Sequence, residues 1–332
     1  MKSKYKAIGK YEREEYLGGG HFGDVYKATD RALNVPRALK IIKSSNPNKL
    51  IAKLNEARFL EVCKHKHVVE VKEADIKKIN GKVSVIIATE LLQNGSALDL
   101  LKKDFISIKR ALKIVCDALF GLEHIHNSGF LHCDIKPGNI LFDDKWESKL
   151  SDFGLAINMK LGTAPSQVYT LHMPPESQYS VKSDIYSMGV TLYRLINNIS
   201  DFNSLAPKDV KTQIKKGNFP DRENYKSYVP TKIINKAINT DPNKRYDTSA
   251  KFRQALEKLP FSIDWYKKSK SYWIGIMNGR KYEIRIEEYK KNWSVEMFRN
   301  RRRIQNLCKY KFSNSHIANL YSEKLVSEYT LV

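Results

Sequence analysis

A chain of 332 residues with 42% hydrophobic content is long enough for about two domains and can bury a sizeable core. It is strongly basic, +22 with a pI near 9.6, which argues for attraction to nucleic acid, acidic proteins or an anionic membrane surface unless the charge is only a solvated exterior. Four widely spaced cysteines (Cys63, Cys116, Cys133, Cys308) suggest neither a disulfide framework nor a zinc site, and the sequence has no apolar signal core or membrane-length run. A soluble, cytoplasmic protein is therefore expected.

In chain order, Tyr11 to Leu17 and Val25 to Thr29 read as strands around Gly18-Gly19-Gly20-His21-Phe22-Gly23. Glycines here let a backbone approach phosphates closely and offer N–H donors. A dinucleotide-binding turn has the same spacing but leads into a helix, whereas Asp24 to Ala28 continues as a β-prone run. Arg37 to Ile42 is an apolar strand carrying Lys40, which taken alone would be an edge-strand lysine. Leu50, Ile51, Leu54, Ala57 and Leu60 then repeat at helical spacing, with Glu56 on that helix. Val83 to Leu92 is β-rich. Ser107 reads as the N-cap of a long helix whose apolar face is Ile108, Ala111, Leu112, Val115, Leu119 and Leu122, closed by Gly129. His124 and His126 near its end read as structural, since no acidic partner stands at nearby spacing.

The helix delivers the chain to His132-Cys133-Asp134-Ile135-Lys136-Pro137-Gly138-Asn139. One carboxylate, one amine and one carboxamide share a short loop. Asp134 can accept a proton from a hydroxyl, Lys136 can neutralise a transferring phosphoryl group, and the Asn139 side-chain oxygen can ligate magnesium. Asp152-Phe153-Gly154 follows an apolar, hairpin-like stretch and supplies a second acidic metal ligand.

In these motifs the chain resembles the protein kinase family over roughly residues 11 to 260. The resemblance implies that Gly18, Gly20, Gly23 and Val25 form a lid over ATP, that Lys40 grips its α and β phosphates, and that Glu56 pairs with Lys40. It further implies a hinge at Glu90 and Leu92 that binds adenine through backbone groups, with Thr89 at the gatekeeper position. Asp134 and Lys136 become catalytic, and Asn139 and Asp152 become Mg2+ ligands. Pro174-Pro175-Glu176 is similar to the family's Ala-Pro-Glu, with Arg245 as the expected partner of Glu176. Asp184-Ile185-Tyr186-Ser187-Met188-Gly189 is similar to its Asp-x-Trp-Ser-x-Gly run. Two departures stand out. Cys133 replaces the arginine that receives an activation-segment phosphate in many regulated kinases, and Tyr169 occupies the position expected to hold a threonine, with Thr170 one residue later. The Asp-x-Lys-Pro-x-Asn form favours serine or threonine acceptors.

Past Pro260 the composition changes. Tyr272 to Met277, the hairpin signal Asn278-Gly279, and alternation through Tyr282, Ile284, Ile286, Trp293, Val295 and Met297 predict three antiparallel strands. Ser313 would cap a final helix covering the sheet through the apolar members of Ile317, Leu320, Tyr321, Lys324 and Leu325. This stretch has 15 Lys and Arg against 7 Asp and Glu, and its Arg299, Arg301, Arg302, Arg303, Lys309 and Lys311, with Trp293, Phe298 and Tyr310 nearby, serve nucleic acid or an acidic partner unless the rings close a miniature core and the charges only keep it soluble.

The resulting expectation is an α+β chain with a two-lobed protein-kinase-like fold over 1–260 and a basic module of three or four strands and a helix over 261–332. It would transfer the γ-phosphoryl of ATP, with Mg2+, to serine or threonine of protein substrates. A phosphotransferase acting on a small molecule and a nucleotide-binding pseudokinase scaffold are the other readings.

Overall fold

The computed structural model describes residues 6–20, 23–43, 47–79, 81–160, 169–176, 178–222, 230–260 and 262–330. His21 and Phe22 of the glycine-rich stretch and residues 161–168 ahead of Tyr169 lie outside them, as does Phe261 at the expected domain boundary. The chain divides into two compact units. One comprises Met1–Ala97, Asp117–Tyr169 and Gln178–Asp184, and the other Leu98–Cys116, Thr170–Ser177 and Ile185–Val332.

The first unit is organised by an antiparallel sheet of β1 (Lys6–Ile8), β2 (Tyr11–Gly20), β3 (Gly23–Asp30), β4 (Val35–Lys43), β5 (Val71–Ile79) and β6 (Lys82–Glu90), in the order β1-β2-β3-β4-β6-β5. The β-branched and aliphatic run of β6 is buried on both faces at Val85, Ile86, Ile87 and Ala88, which fixes it as an interior strand. The helix α1 (Pro47–Val62) packs on β5 and β6. α2 (Ala97–Lys103) precedes α3 (Ile108–Asn127), where all six apolar positions expected on one face are buried. Ser107 Oγ accepts the backbone N–H of Arg110 at 3.2 Å, as its capping role requires. Gly121 lets α3 run close to the His67 carbonyl, where any Cβ would collide. The catalytic-loop region is carried by β7 (Phe130–Leu131), the hairpin of β8 (Ile140–Phe142) and β9 (Ser148–Leu150), and β10 (Ile157–Asn158), which pairs with β7.

Helices α4 (Val181–Ile196), α5 (Val210–Lys216), α6 (Thr231–Ala237) and α7 (Ser249–Glu257) make the helical lobe. Gly189 on α4 has a packing reason: an added Cβ would lie 2.7 Å from Ile238 Cγ2 and 2.8 Å from Ala237 Cβ. The mixed α+β architecture, with its β-rich N-terminal sheet and helical C-lobe, is the expected one.

The C-terminal region is larger in strands than expected. Six occur, β11 (Asp264–Ser269), β12 (Tyr272–Met277), β13 (Arg280–Tyr289), β14 (Asn292–Arg299), β15 (Arg302–Arg303) and β16 (Lys309–Phe312), in the order β11-β12-β13-β14-β15 with β16 also on β14. β11 escaped notice because its single buried residue, Trp265, makes no visible alternation. The helix α8 (Ser315–Glu328) covers the sheet, but through Ala318, Tyr321, Ser322, Leu325 and Val326. Ile317 and Leu320 are exposed instead, because the small Ala318 and Ser322 define the face of close approach. Asn314, not Ser313, caps α8, its Oδ1 accepting the N–H of Ile317 at 3.0 Å. Ser262 and Ile263 donate to the carbonyls of Thr330 and Tyr329, closing the region on itself.

Within its unit this sheet is anchored to the segment before α3: Trp273 meets Phe105 edge-on at 5.4 Å, and Tyr266 is hydrogen-bonded to Ser107. Two of the three rings named in the sequence have internal partners. Phe298 lies between the guanidinium groups of Arg285 and Arg303, and Tyr310 donates to Glu296. Glu283, on the face opposite Tyr282 and Ile284, is buried beneath Lys281 and Arg285.

Gly275 sits where an added Cβ would strike Ile263 and lie 2.7 Å from Trp265 Cε3. Gly275→Ala is expected to destabilise by about 1–3 kcal/mol, read as a lower urea midpoint, while Ile276→Ala at an exposed position of the same strand leaves it within about 0.5 kcal/mol.

Candidate active site

The glycine-rich stretch is the tip of the β2–β3 hairpin, where Gly20 and Gly23 are cross-strand partners. Gly23 has φ +123° and lies against the Ile41 backbone, where a Cβ would come 2.7 Å from the carbonyl oxygen, so only glycine fits. Val25 is the cross-strand neighbour of Lys40 on β4, which sets lid and lysine side by side. Lys40 is no edge-strand lysine, for β4 is interior. Its Nζ reaches Glu56 on α1 at 2.7 and 3.0 Å and Asp152 at 2.7 Å. Burial would drive the proton off Lys40, but the charges of Glu56 and Asp152 outweigh it and raise its pKa. Asp152 is held below the usual carboxylate range for the reciprocal reason, burial opposing and the Lys40 charge prevailing.

β6 ends at Glu90, and Leu92 follows in irregular chain. The Glu90 carboxylate is fixed by Lys149 at 2.7 and 2.9 Å and by the N–H of Glu70 at 2.8 Å, while its own N–H donates to the Glu70 carbonyl at 3.0 Å.

In the catalytic loop, Asp134 Oδ2 accepts from Lys136 Nζ at 2.7 Å and from Asn139 Nδ2 at 2.8 Å. Asn139 Nδ2 also donates to the Asp134 carbonyl at 2.8 Å, which turns the amide so that its oxygen faces away from Asp134. The buried His132 accepts the Asp134 N–H on Nδ1 and donates from Nε2 to the Ser151 carbonyl at 3.1 Å. Burial lowers its pKa despite neighbouring carboxylates, so it is a neutral spacer between the two motifs. Cys133 and Asp152 both have left-handed backbones, φ +63° and +59°.

Asp184 in the first turn of α4 anchors this loop. Its oxygens accept the N–H of His132 at 2.8 Å and of Cys133 at 2.9 Å, and His126 Nε2 lies 2.9 Å away. Burial pushes its carboxyl up, yet the His126 hydrogen bond and the surrounding donors hold it below the usual carboxylate range. Sequence reasoning found the Asp184 motif but not this task, and it read His126 as structural with no acidic partner at nearby spacing; its partner stands 58 residues further on. It also missed His172, buried and bridged to Ser187, Thr191 and Arg194 beside the Pro174-Pro175-Glu176 segment. Glu176 makes the expected two-pronged pair with Arg245, both bonds 2.7 Å. Tyr169 places its ring 5.6 Å from Lys136 Nζ.

Asp152 and the Asn139 amide offer hard oxygen donors suited to magnesium. Among the described residues no three His, Cys, Asp or Glu side chains form a closed metal cage, so such an ion would need oxygens from a nucleotide as well.

Two lobes, a lysine between two carboxylates, and a loop presenting Asp134, Lys136 and Asn139 define a phosphotransferase-type site. The family profile described as "Protein kinase domain" matches residues 11–258, and the chain belongs to the protein kinase family. Over 244 residues it is 32% identical to the dual specificity protein kinase shkB of Dictyostelium discoideum, covering 67% of this chain and 36% of that protein. It is 27% identical over 269 residues to the serine/threonine-protein kinase PknB of Mycolicibacterium smegmatis, covering 75% and 43%. Against the tyrosine-protein kinase transforming protein Fps of Fujinami sarcoma virus the identity is 30% over 216 residues, covering 61% and 24%. The chain thus spans less than half the length of each of these three relatives. No described helix is long and apolar enough to cross a membrane.

Because the folded Asp184 titrates below an unfolded aspartate, its stabilisation is complete at neutral pH. It fades as pH falls below about 3.9 towards the lower folded value. Asp184→Asn is expected to lower the melting temperature at pH 7 and to flatten the acid limb of its pH dependence. An unchanged acid limb would show that Asp184 is not the linked group.

Proposed function

We propose that the chain transfers the γ-phosphoryl group of ATP to serine and threonine hydroxyls of protein substrates, without waiting for phosphorylation of its activation segment. The observation that carries this reading is Asp134 Oδ2 held at once by Lys136 and Asn139. An acceptor hydroxyl directed at the other carboxylate oxygen would be oriented and relieved of its proton, with the Lys136 ammonium beside it to meet charge on the phosphoryl oxygens. Lys40, fixed by Glu56, is the cation for the α and β phosphates, and the backbone of the Gly18 to Gly23 lid and of Glu90 and Leu92 would seat the nucleotide. A magnesium ion bound with ATP supplies charge neutralisation at the phosphates, and Asp152 and Asn139 would hold it. The short reach of Lys136 to Asp134 supports a short hydroxyl acceptor, and Cys133, in place of an arginine, supports independence from an activation-segment phosphate. The four free cysteines support a reducing, cytoplasmic setting. The intact set Lys40, Asp134, Asn139 and Asp152 disfavours a pseudokinase, and the Glu176–Arg245 pair beneath a substrate-facing segment disfavours a small-molecule acceptor.

Lys40→Met and Asp134→Asn are expected to lower turnover at least ~10³-fold, about 4 kcal/mol of transition-state stabilisation. Labelled-ATP assays read this beside melting curves, and wild-type turnover in either variant would sink the assignment. Phosphoamino-acid analysis should give phosphoserine and phosphothreonine; dominant phosphotyrosine would reverse the acceptor class. Phosphatase-treated protein should keep its activity, and an inert product would refute the role given to Cys133.

A further inference from the structure

Two sets of cations in the C-terminal sheet have different surroundings. Lys281 and Arg285 converge on the buried Glu283, whose carboxyl is lowered to about 2: burial opposes ionisation, but hydrogen bonds from Lys281, Arg285 and Tyr272 overcome it. Arg303 pairs with Glu296 at 2.9 Å, and Lys267 pairs with Glu323 of α8. These cations are structural.

Arg280, Arg299, Arg301 and Arg302 are different. All four are exposed, and among the described residues none has a carboxylate within ion-pair distance. The register gathers them at one end of the sheet. Arg299 lies directly opposite Tyr282 on one side and opposite Arg302 on the other, Arg280 shares the face of Tyr282 two residues away, and Arg301 occupies the intervening hairpin tip. Asn300 locks the tip to β13 through hydrogen bonds in both directions with the Lys281 backbone, at 2.8 and 2.9 Å. Arg301 is held there with φ +67°.

Like charges directly opposite on neighbouring strands repel, and nothing in the sheet offsets Arg299 against Arg302. A site that concentrates guanidinium groups, leaves them unpaired and fixes their backbone is complementary to a compact polyanion. Strands β13 to β15 at about 4.8 Å spacing make the patch roughly 10 Å across. That is the scale of one or two phosphate groups, shorter than the track a nucleic-acid strand occupies. Of the rings that could stack bases, Phe298 is covered by the guanidinium groups of Arg285 and Arg303.

We propose that Arg280, Arg299, Arg301 and Arg302 form a docking site for a phosphorylated segment of a protein substrate, so that a substrate already phosphorylated once is retained for a further transfer. The proposal rests on the protein-kinase reading above. Its binding arm is independent of turnover.

The test uses the full chain and one peptide sequence in three forms: unphosphorylated, phosphoserine-containing, and with aspartate at that serine. A single-stranded oligonucleotide of matched charge is the fourth probe. The phosphopeptide should bind at least about tenfold more tightly than the unphosphorylated form, with the aspartate form between them, and binding should weaken steeply as salt rises from about 0.05 to 0.5 M. The Arg299→Gln/Arg302→Gln double variant should lose that preference while turning over a short unphosphorylated peptide at the wild-type rate. Its melting temperature should be unchanged or higher, because a repulsive pair has been removed, so loss of binding would not reflect unfolding. Equal binding of the three peptides, or a double variant that keeps the preference, overturns the proposal; tighter binding of the oligonucleotide replaces it with a nucleic-acid site. The Asp134→Asn protein should still show the binding preference. A chain that turns over no peptide yet retains the preference would refute the proposed function and leave the docking site standing.

Discussion

The structure depends on one buried carboxylate. Asp184 takes the N–H groups of His132 and Cys133 and is steadied by His126, so the catalytic loop is suspended from the start of α4 by its own backbone. The position suits the charge, because the first turn of a helix presents unsatisfied N–H groups and the positive end of its dipole. With the backbone fixed, Asp134, Lys136 and Asn139 need only local hydrogen bonds to adopt their mutual geometry. His132 carries the restraint onward to Ser151, adjacent to Asp152. Rigidity thus passes from one helix terminus to Asp134 and the Asp152 carboxylate.

Lys40 completes the arrangement from the sheet side. Burying charges is costly unless they are paired, and here one ammonium stands 2.7 Å from each of two carboxylates, an excess of one negative charge. The strain sits in the left-handed backbones at Cys133 and Asp152, where side chains must be aimed against the preference of the chain. Both lie next to the reacting groups, so order there is imposed by the surroundings and not by local propensity.

Most of the fold was legible because its elements are periodic: the α3 face, the alternation in β12 to β14 and the glycine-rich hairpin all follow from spacing. The site residues were legible through the order of motifs, and the structure brings Lys40, Glu56 and Asp152 together, and Asp134 with Lys136 and Asn139. What escaped were relations between distant segments. Spacing cannot show that His126 faces Asp184 or that His172 is gripped by Arg194, since those partners meet only through tertiary packing. Alternation places Glu283 on the face opposite Tyr282, Ile284 and Ile286, as found, but it does not show that two flanking cations and a tyrosine cover that carboxylate. On α8, apolar spacing pointed to Ile317 and Leu320, while small residues decided which face came closest to the sheet.

The thiol of Cys133 stands one residue from the catalytic base, the place where a medicinal chemist would look for a covalent handle. It is 4% exposed, and burial pushes its pKa far up, with the Asp184 and Asp134 charges adding to the effect. An electrophile would therefore face a protonated, buried sulfur, not a thiolate. Selective covalent inhibitors of this kinase must find their anchor elsewhere, and oxidants that disable exposed catalytic cysteines in other enzymes will leave this loop untouched.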